Sequence, residues 1–309
     1  MPEPDYVWLP RTTLLTFEEL GRITRIFQIL GVRHVRLTGG EPLLRAQVVT
    51  LTGQLATLGL DDLAMTTNGV LLAPLAEALR SAGLRRITVS LDTLRPERFA
   101  ALTRRDQLRD VLAGIDAATA AFGAIKIDTV LLSGTNDDEI EPLLAFAGAR
   151  GAELRFIEYM DVPGATHWTA TRVVSRSEIL TRVAQAFGDV AALPPEGPAP
   201  AARFRLPSGQ VFGIISSTTE PFCGTCDRIR LTADGHLFLC LYATEGIDLR
   251  TPLRAGATDA DLAGLIASAW EARTARGAEA RLQAPDRSAF IAVDDLRRAP
   301  HLEMHTRGG

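Results

Sequence analysis

Cys223, Cys226 and Cys240 are the only three cysteines of this sequence, and they fall within 18 residues. The spacing Cys-x2-Cys-x13-Cys points two neighbouring thiolates at one centre and returns a third from further along the chain. An odd, clustered set makes a poor disulfide framework and a better metal site. On spacing alone three readings stay open. The thiols are buried without chemistry. Or they hold a structural zinc, with His236 as fourth ligand because His236, Phe238 and Cys240 share one face of a strand. Or they hold an iron–sulfur cluster, in which three thiolates leave one iron of a 4Fe–4S cube free for a further ligand. Asp227-Arg-Ile-Arg230 follows directly. In an extended segment Arg228 and Arg230 point the same way, and two guanidiniums suit a phosphate or a purine edge.

Further candidates lie upstream. Thr38-Gly-Gly-Glu-Pro42 follows an apolar strand, and its glycines let the backbone approach a ligand closely. Arg36 stands two residues before this loop, read either as a site residue or as an exposed edge residue. Lys126 sits between Ile125 and Ile127 and points into a barrel mouth or snorkels to solvent. Met160 follows Phe156-Ile-Glu-Tyr159, where a methionine fills a core more often than it touches a cofactor. The closing Gly308-Gly309 is a frayed end, or a segment thin enough to thread into a pocket.

The elements that must position these residues follow one grammar. Thr16-Phe-Glu-Glu19 is a capping box, and Leu20, Ile23, Phe27 and Leu30 then mark one helix face that Gly31 ends. Strands are predicted at His34–Leu37, 63–66, 86–91, 125–131 and 153–157, with helices at 45–58, 74–82, then up to 122, and at 137–150. Five strands alternating with helices imply right-handed crossovers and a parallel sheet, with ligands beyond the strands' C-terminal ends. The Pro/Ala/Gly-rich stretch 188–203 reads as a linker. Beyond it a hairpin is predicted at Asp234-Gly235 and a helix over 259–276. The expected domains are therefore 1–187, the linker 188–203, and 204–309.

Bulk properties fit that plan. The 309 residues are 46% hydrophobic and 23% charged, as in a folded globular protein. No apolar run is long enough to span a membrane and the first residues lack a signal-peptide pattern, so a cytoplasmic protein without membrane contact is expected. A net charge of −4 argues against a nucleic-acid surface.

The pieces converge on one family. Trp8-Leu-Pro-Arg11, segment 14–19, Arg36-Leu-Thr-Gly-Gly-Glu-Pro-Leu43, Thr66-Thr-Asn-Gly69, Val89-Ser-Leu-Asp92, Lys126-Ile-Asp-Thr129, segment 155–160, the cysteine cluster and the closing Gly-Gly occur in order along essentially the whole chain. Together they resemble molybdenum cofactor biosynthesis protein A, the GTP 3′,8-cyclases. The resemblance implies an α/β fold: a partial (βα)6 radical SAM barrel closed by a smaller C-terminal α+β domain. It implies two 4Fe–4S clusters. One reduces S-adenosylmethionine to a 5′-deoxyadenosyl radical that takes hydrogen from C3′ of GTP, after which the sugar adds to C8. The other binds the purine through its open iron.

Carried over residue by residue, Cys223, Cys226 and Cys240 would ligate the second cluster. Arg36, Thr67, Lys126, Arg228, Ile229 and Arg230 would contact GTP, and Gly40, Ser90 and Met160 would contact S-adenosylmethionine. Gly308 and Gly309 would form the tail that reaches toward the site. Expected partners are GTP, S-adenosylmethionine, an electron donor, the next pterin-forming enzyme and a second copy of the chain in a homodimer.

One departure stands out. The sequence has no Cys-x3-Cys-x2-Cys, and it opens with Met1-Pro2 where the family's motif ends Cys-Met-Pro. The expectation is a truncated start that lacks the first strand, an upstream arginine and the first cluster, leaving an open sheet edge and a polypeptide inactive alone. Two other functions compete with the cyclase: a non-catalytic GTP-binding remnant with one cluster, and a zinc-stabilised interaction protein.

Overall fold

The computed structural model describes residues 7–165, 167–285, 287 and 290–307. Eleven strands occur among the described residues: β1 His34–Leu37, β2 Asp62–Thr67, β3 Arg86–Ser90, β4 Lys126–Leu131, β5 Glu153–Glu158, β6 Ala191–Ala192, β7 Ala202–Arg205, β8 Val211–Ile215, β9 Arg230–Leu231, β10 His236–Phe238 and β11 Ile247–Asp248. The first eight form one sheet in the order β1-β2-β3-β4-β5-β8-β7-β6, and the last three a small sheet in the order β11-β10-β9.

Strands β1 to β5 pair in parallel, each returning through helix as the alternation predicts. The sheet then gains a sixth parallel strand that the sequence reading does not contain, because β8 pairs with β5 from Leu154↔Phe212 to Ile157↔Ile215. β7 and β6 add on antiparallel. The stretch 188–203 thus carries β6 and the first residues of β7, so these residues lie within the sheet. Its Pro and Gly residues make the turns, while Phe204 and Phe212 stack at 5.5 Å and bury the returning hairpin.

The sheet curves. Arg36 of β1, Arg86 of β3, Lys126 of β4, Glu153 of β5 and Val211 of β8 line one cavity together, near the strands' N-terminal ends, and this concave side is the lumen. Apolar residues alternate onto the outer face: Leu63, Met65, Ile87, Val89, Ile127, Leu154, Phe156 and Phe212 are buried against the helices.

The capping box forms as read: Thr16 accepts from Glu19 N–H, and Glu19 accepts from Thr16 N–H at 2.8 Å. The helix it starts, Phe17–Ile29, turns Ile23, Ile26 and Phe27 toward Leu237, Leu249, Leu262 and Ile266 of the C-terminal part. Leu30 lies outside this face, 39% exposed at the helix end. The predicted hairpin is present, with β9 and β10 antiparallel about Gly235, which takes φ +88°. The helix expected over 259–276 ends earlier, spanning Asp259–Glu271. No helix among the described residues is long and apolar enough to cross a membrane.

Candidate functional site

Two polar regions stand out, the lumen of the sheet and a corner around the cysteines. In the lumen, alternation puts Arg36, Thr66, Arg86, Thr88, Lys126, Asp128, Glu153 and Arg155 on the inner face. Arg36 donates from Nη1 to Thr66 Oγ1 at 2.9 Å and to Thr88 Oγ1 at 3.3 Å. It is therefore no idle edge residue. Its side chain keeps exposed surface yet is ringed by protein, and that desolvation, with Arg155 nearby, brings its pKa down to about 10.

Arg155 makes a two-pronged pair with Asp128, at 2.6 and 2.7 Å. Arg86 pairs with Asp62. Glu153 lies 3.6 Å from Lys126 and 3.0 Å from Arg203. Burial lowers the Lys126 pKa, and Arg155, Arg86 and Arg203 lower it further against the pull of Glu153. The lumen cavity measures about 420 Å³. Lys126 is the first residue of β4, so it sits at the strands' N-terminal ends and not at the mouth read from the sequence. The helix before it ends at Phe122, and residues 123–125 connect the two.

Gly40, Ser90 and Met160 follow or end β1, β3 and β5 and so share the sheet's C-terminal edge. Glu41 ties two loops at that edge. It accepts from Leu43 N–H, from the Thr67 hydroxyl at 2.8 Å and from Asn68 N–H at 2.7 Å. Thr67 is thus buried in a loop clamp, and Thr66 is the threonine that faces the lumen. Above Gly39 and Gly40 lie the carbonyl of His305 and, for Gly40, the ring of Trp8: a Cβ at Gly40 would meet Trp8 at 3.4 Å and that carbonyl at 3.7 Å. Asp161, next to Met160, is fully buried and receives Arg281 and Arg287, each at 2.8 Å, and the Tyr242 hydroxyl at 3.1 Å. Burial would raise its pKa, but the two guanidiniums outweigh that and hold it below the usual range. This node fastens the end of β5 to the turn just after Cys240.

At the corner, Ile229 and Leu231 pack into the second core while Arg228 and Arg230 take the opposite side, as the period of two predicts. Cys223 and Cys226 flank a short 3-10 turn, Cys240 follows β10, and all three thiols are free and half-buried. Arg228 Nη2 reaches Cys226 Sγ at 3.4 Å, and Arg273 donates to the Cys226 carbonyl at 2.7 Å. Burial pushes the Cys226 thiol up, but hydrogen bonds and charge from Arg228 pull it further down, so its pKa lies below the ordinary value.

The described residues contain no His, Cys, Asp or Glu group drawn close enough to hold a metal ion. His236 is not the cysteines' partner. It lies 3.2 Å from Asp234 and stacks on His301 at 4.9 Å, which removes it from the zinc set considered above.

The corner nevertheless fits an anionic cluster. Arg228 Nε, Arg230 Nε and Arg307 Nη2 are buried donors without a hydrogen-bond partner. Burial and the neighbouring Arg228 bring Arg230 down to about 10, with Cys226 and Cys240 opposing. Arginines so placed need acceptors, and an iron–sulfur group held by these cysteines would supply them. Gly308 and Gly309 lie outside the described residues.

Comparison with known proteins gives the class first. Residues 5–147 match the radical SAM superfamily, and residues 152–279 match Molybdenum Cofactor Synthesis C. The chain is 51% identical over its whole length to GTP 3′,8-cyclase 3 of Mycobacterium bovis, of which it covers 83%. It is equally similar to GTP 3′,8-cyclase 1 of Mycobacterium tuberculosis, of which it covers 88%. Against the GTP 3′,8-cyclase of Acidothermus cellulolyticus it is 49% identical, over 90% of this chain and 79% of that protein. The chain belongs to the GTP 3′,8-cyclase family, the radical SAM enzymes of molybdenum cofactor synthesis.

Proposed function

We propose that this chain, as a GTP 3′,8-cyclase, binds GTP between the lumen and the cysteine corner. The observation that carries the reading is the set of three buried, partnerless arginine N–H groups beside three free thiols. Cys223, Cys226 and Cys240 would hold a 4Fe–4S cluster, which when bound offers one iron to the purine. Arg228 and Arg230 would donate to the ring edge, with Ile229 seating them through the core behind. Arg36 and Lys126 would reach the nucleotide from the lumen, where cations outnumber carboxylates. Thr67 would act by fixing the loop through Glu41. Gly40, Ser90 and Met160 would line the S-adenosylmethionine side at the sheet's C-terminal edge, where parallel sheets place ligands.

The 309 residues supply cysteines for one cluster only. Anaerobic reconstitution of this polypeptide should give about four irons and about four sulfides per chain, from three-cysteine ligation of a single cube. Zinc without sulfide would point to the structural zinc protein instead, and close to eight specifically bound irons would contradict the one-cluster assignment.

A further inference from the structure

Arg307 lies outside the residues assigned above, in the short helix Met304–Arg307 before the closing glycines. It is 3% exposed, unusual for an arginine with no carboxylate partner among the described residues. Its Nη1 donates to the carbonyls of Leu241 at 3.0 Å and Ala243 at 2.6 Å, and its Nε to that of His301 at 3.3 Å. The guanidinium lies 4.2 Å above the Phe238 ring. These contacts grip both sides of Cys240, through β10 before it and the turn after it. The tail that carries Arg307 is itself held. Leu302 and Leu296 pack with Phe238, and Thr306 donates to the Glu303 carbonyl at 2.7 Å.

One donor is left over. Nη2 is buried without a partner, and the charged or titratable groups near the guanidinium are Arg230, Cys240 and His301. Burial and Arg230 bring its pKa down to about 10 while Cys240 opposes. Leaving a charged donor unmet in the interior is costly, and like charge from Arg230 adds to that cost. An anion on the Cys240 side relieves both.

We propose that Arg307 is a positioning residue of the cysteine corner: it clamps the turn that carries Cys240 and presents the two N–H groups of Nη2, with its charge, to the iron–sulfur group held there. The proposal rests on the cluster reading above. A cation and hydrogen-bond donor beside such a cluster favours the reduced, more negative state and raises its potential.

The test compares wild type, Arg307→Gln and Arg307→Lys in the reconstituted 309-residue chain, by iron content and by an EPR-monitored redox titration. Wild type without iron would sink the cluster reading itself. With iron present, Arg307→Gln should move the midpoint to a more negative value, while Arg307→Lys, which keeps the charge, should stay near wild type. A Gln variant with the wild-type midpoint, or a Lys variant as negative as the Gln variant, overturns the role of Arg307 and leaves the cluster standing. Should the Gln variant fail to fold by circular dichroism, Arg307→Met replaces it under the same two criteria.

Discussion

The lumen and the cysteine corner are both rich in arginine, but they treat the charge in opposite ways. In the lumen most cations have a carboxylate: Arg155 has Asp128, Arg86 has Asp62, and Lys126 and Arg203 share Glu153, while Arg36 rests on the hydroxyls of Thr66 and Thr88. In the corner, none of Arg228, Arg230, Arg273 and Arg307 has a carboxylate partner among the described residues, and three of them keep an unmet buried N–H. Paired cations give a rigid wall whose geometry holds with or without ligand. Unpaired ones wait for an anion. The lumen pairs are therefore set without a ligand, and on the function proposed above the corner is completed by what it binds.

Three perturbations sharpen that contrast. The largest effect is expected where a lumen pair is broken. Asp128→Asn strands the buried Arg155 and should lower folding stability by about 3 kcal/mol in denaturant unfolding. A loss of under about 0.5 kcal/mol would show that the wall is not held by its pairs.

Next comes the corner. Arg230→Ala removes a donor with no protein partner, so stability should change little. GTP affinity of the reconstituted chain should fall at least roughly tenfold by isothermal titration, the worth of a charge-assisted hydrogen bond. The reverse pattern, lost stability with unchanged affinity, would make Arg230 a structural residue.

The smallest effect concerns His236, which belongs to neither region's chemistry. Asp234 raises its folded pKa above the ordinary value. The pair then contributes stability that is fully present below about pH 6.5 and fades as pH rises through the folded pKa. We expect under about 1 kcal/mol, seen as a melting temperature that declines from pH 6 to pH 8 in wild type. The decline should flatten in Asp234→Asn.

Much of this architecture was legible in the sequence. The alternation of β1 to β5 with helices, the Thr16 capping box and the Arg228/Arg230 period of two all come from local spacing, and local spacing is what secondary structure obeys. β8 was not legible. Val211–Ile215 is a short apolar run beyond a Pro-rich stretch, and only long-range pairing with β5 makes it a barrel strand. The lumen pairs were half visible: Lys126 and Asp128 on β4 and Glu153 and Arg155 on β5 alternate with apolar residues, which placed them on one face without saying who partners whom. Asp161 and Arg307 gave no periodic signal. Their roles arise from chain segments far apart in sequence, at 161, 240–243 and 281–307.

The central claim is that a guanine nucleotide completes a cluster held by Cys223, Cys226 and Cys240. Its most direct test is the EPR spectrum of the reduced, reconstituted 309-residue chain, recorded before and after saturation with GTP. Binding at the open iron predicts a changed g-tensor and line shape. Superimposable spectra, with GTP shown by calorimetry to be bound, would contradict it.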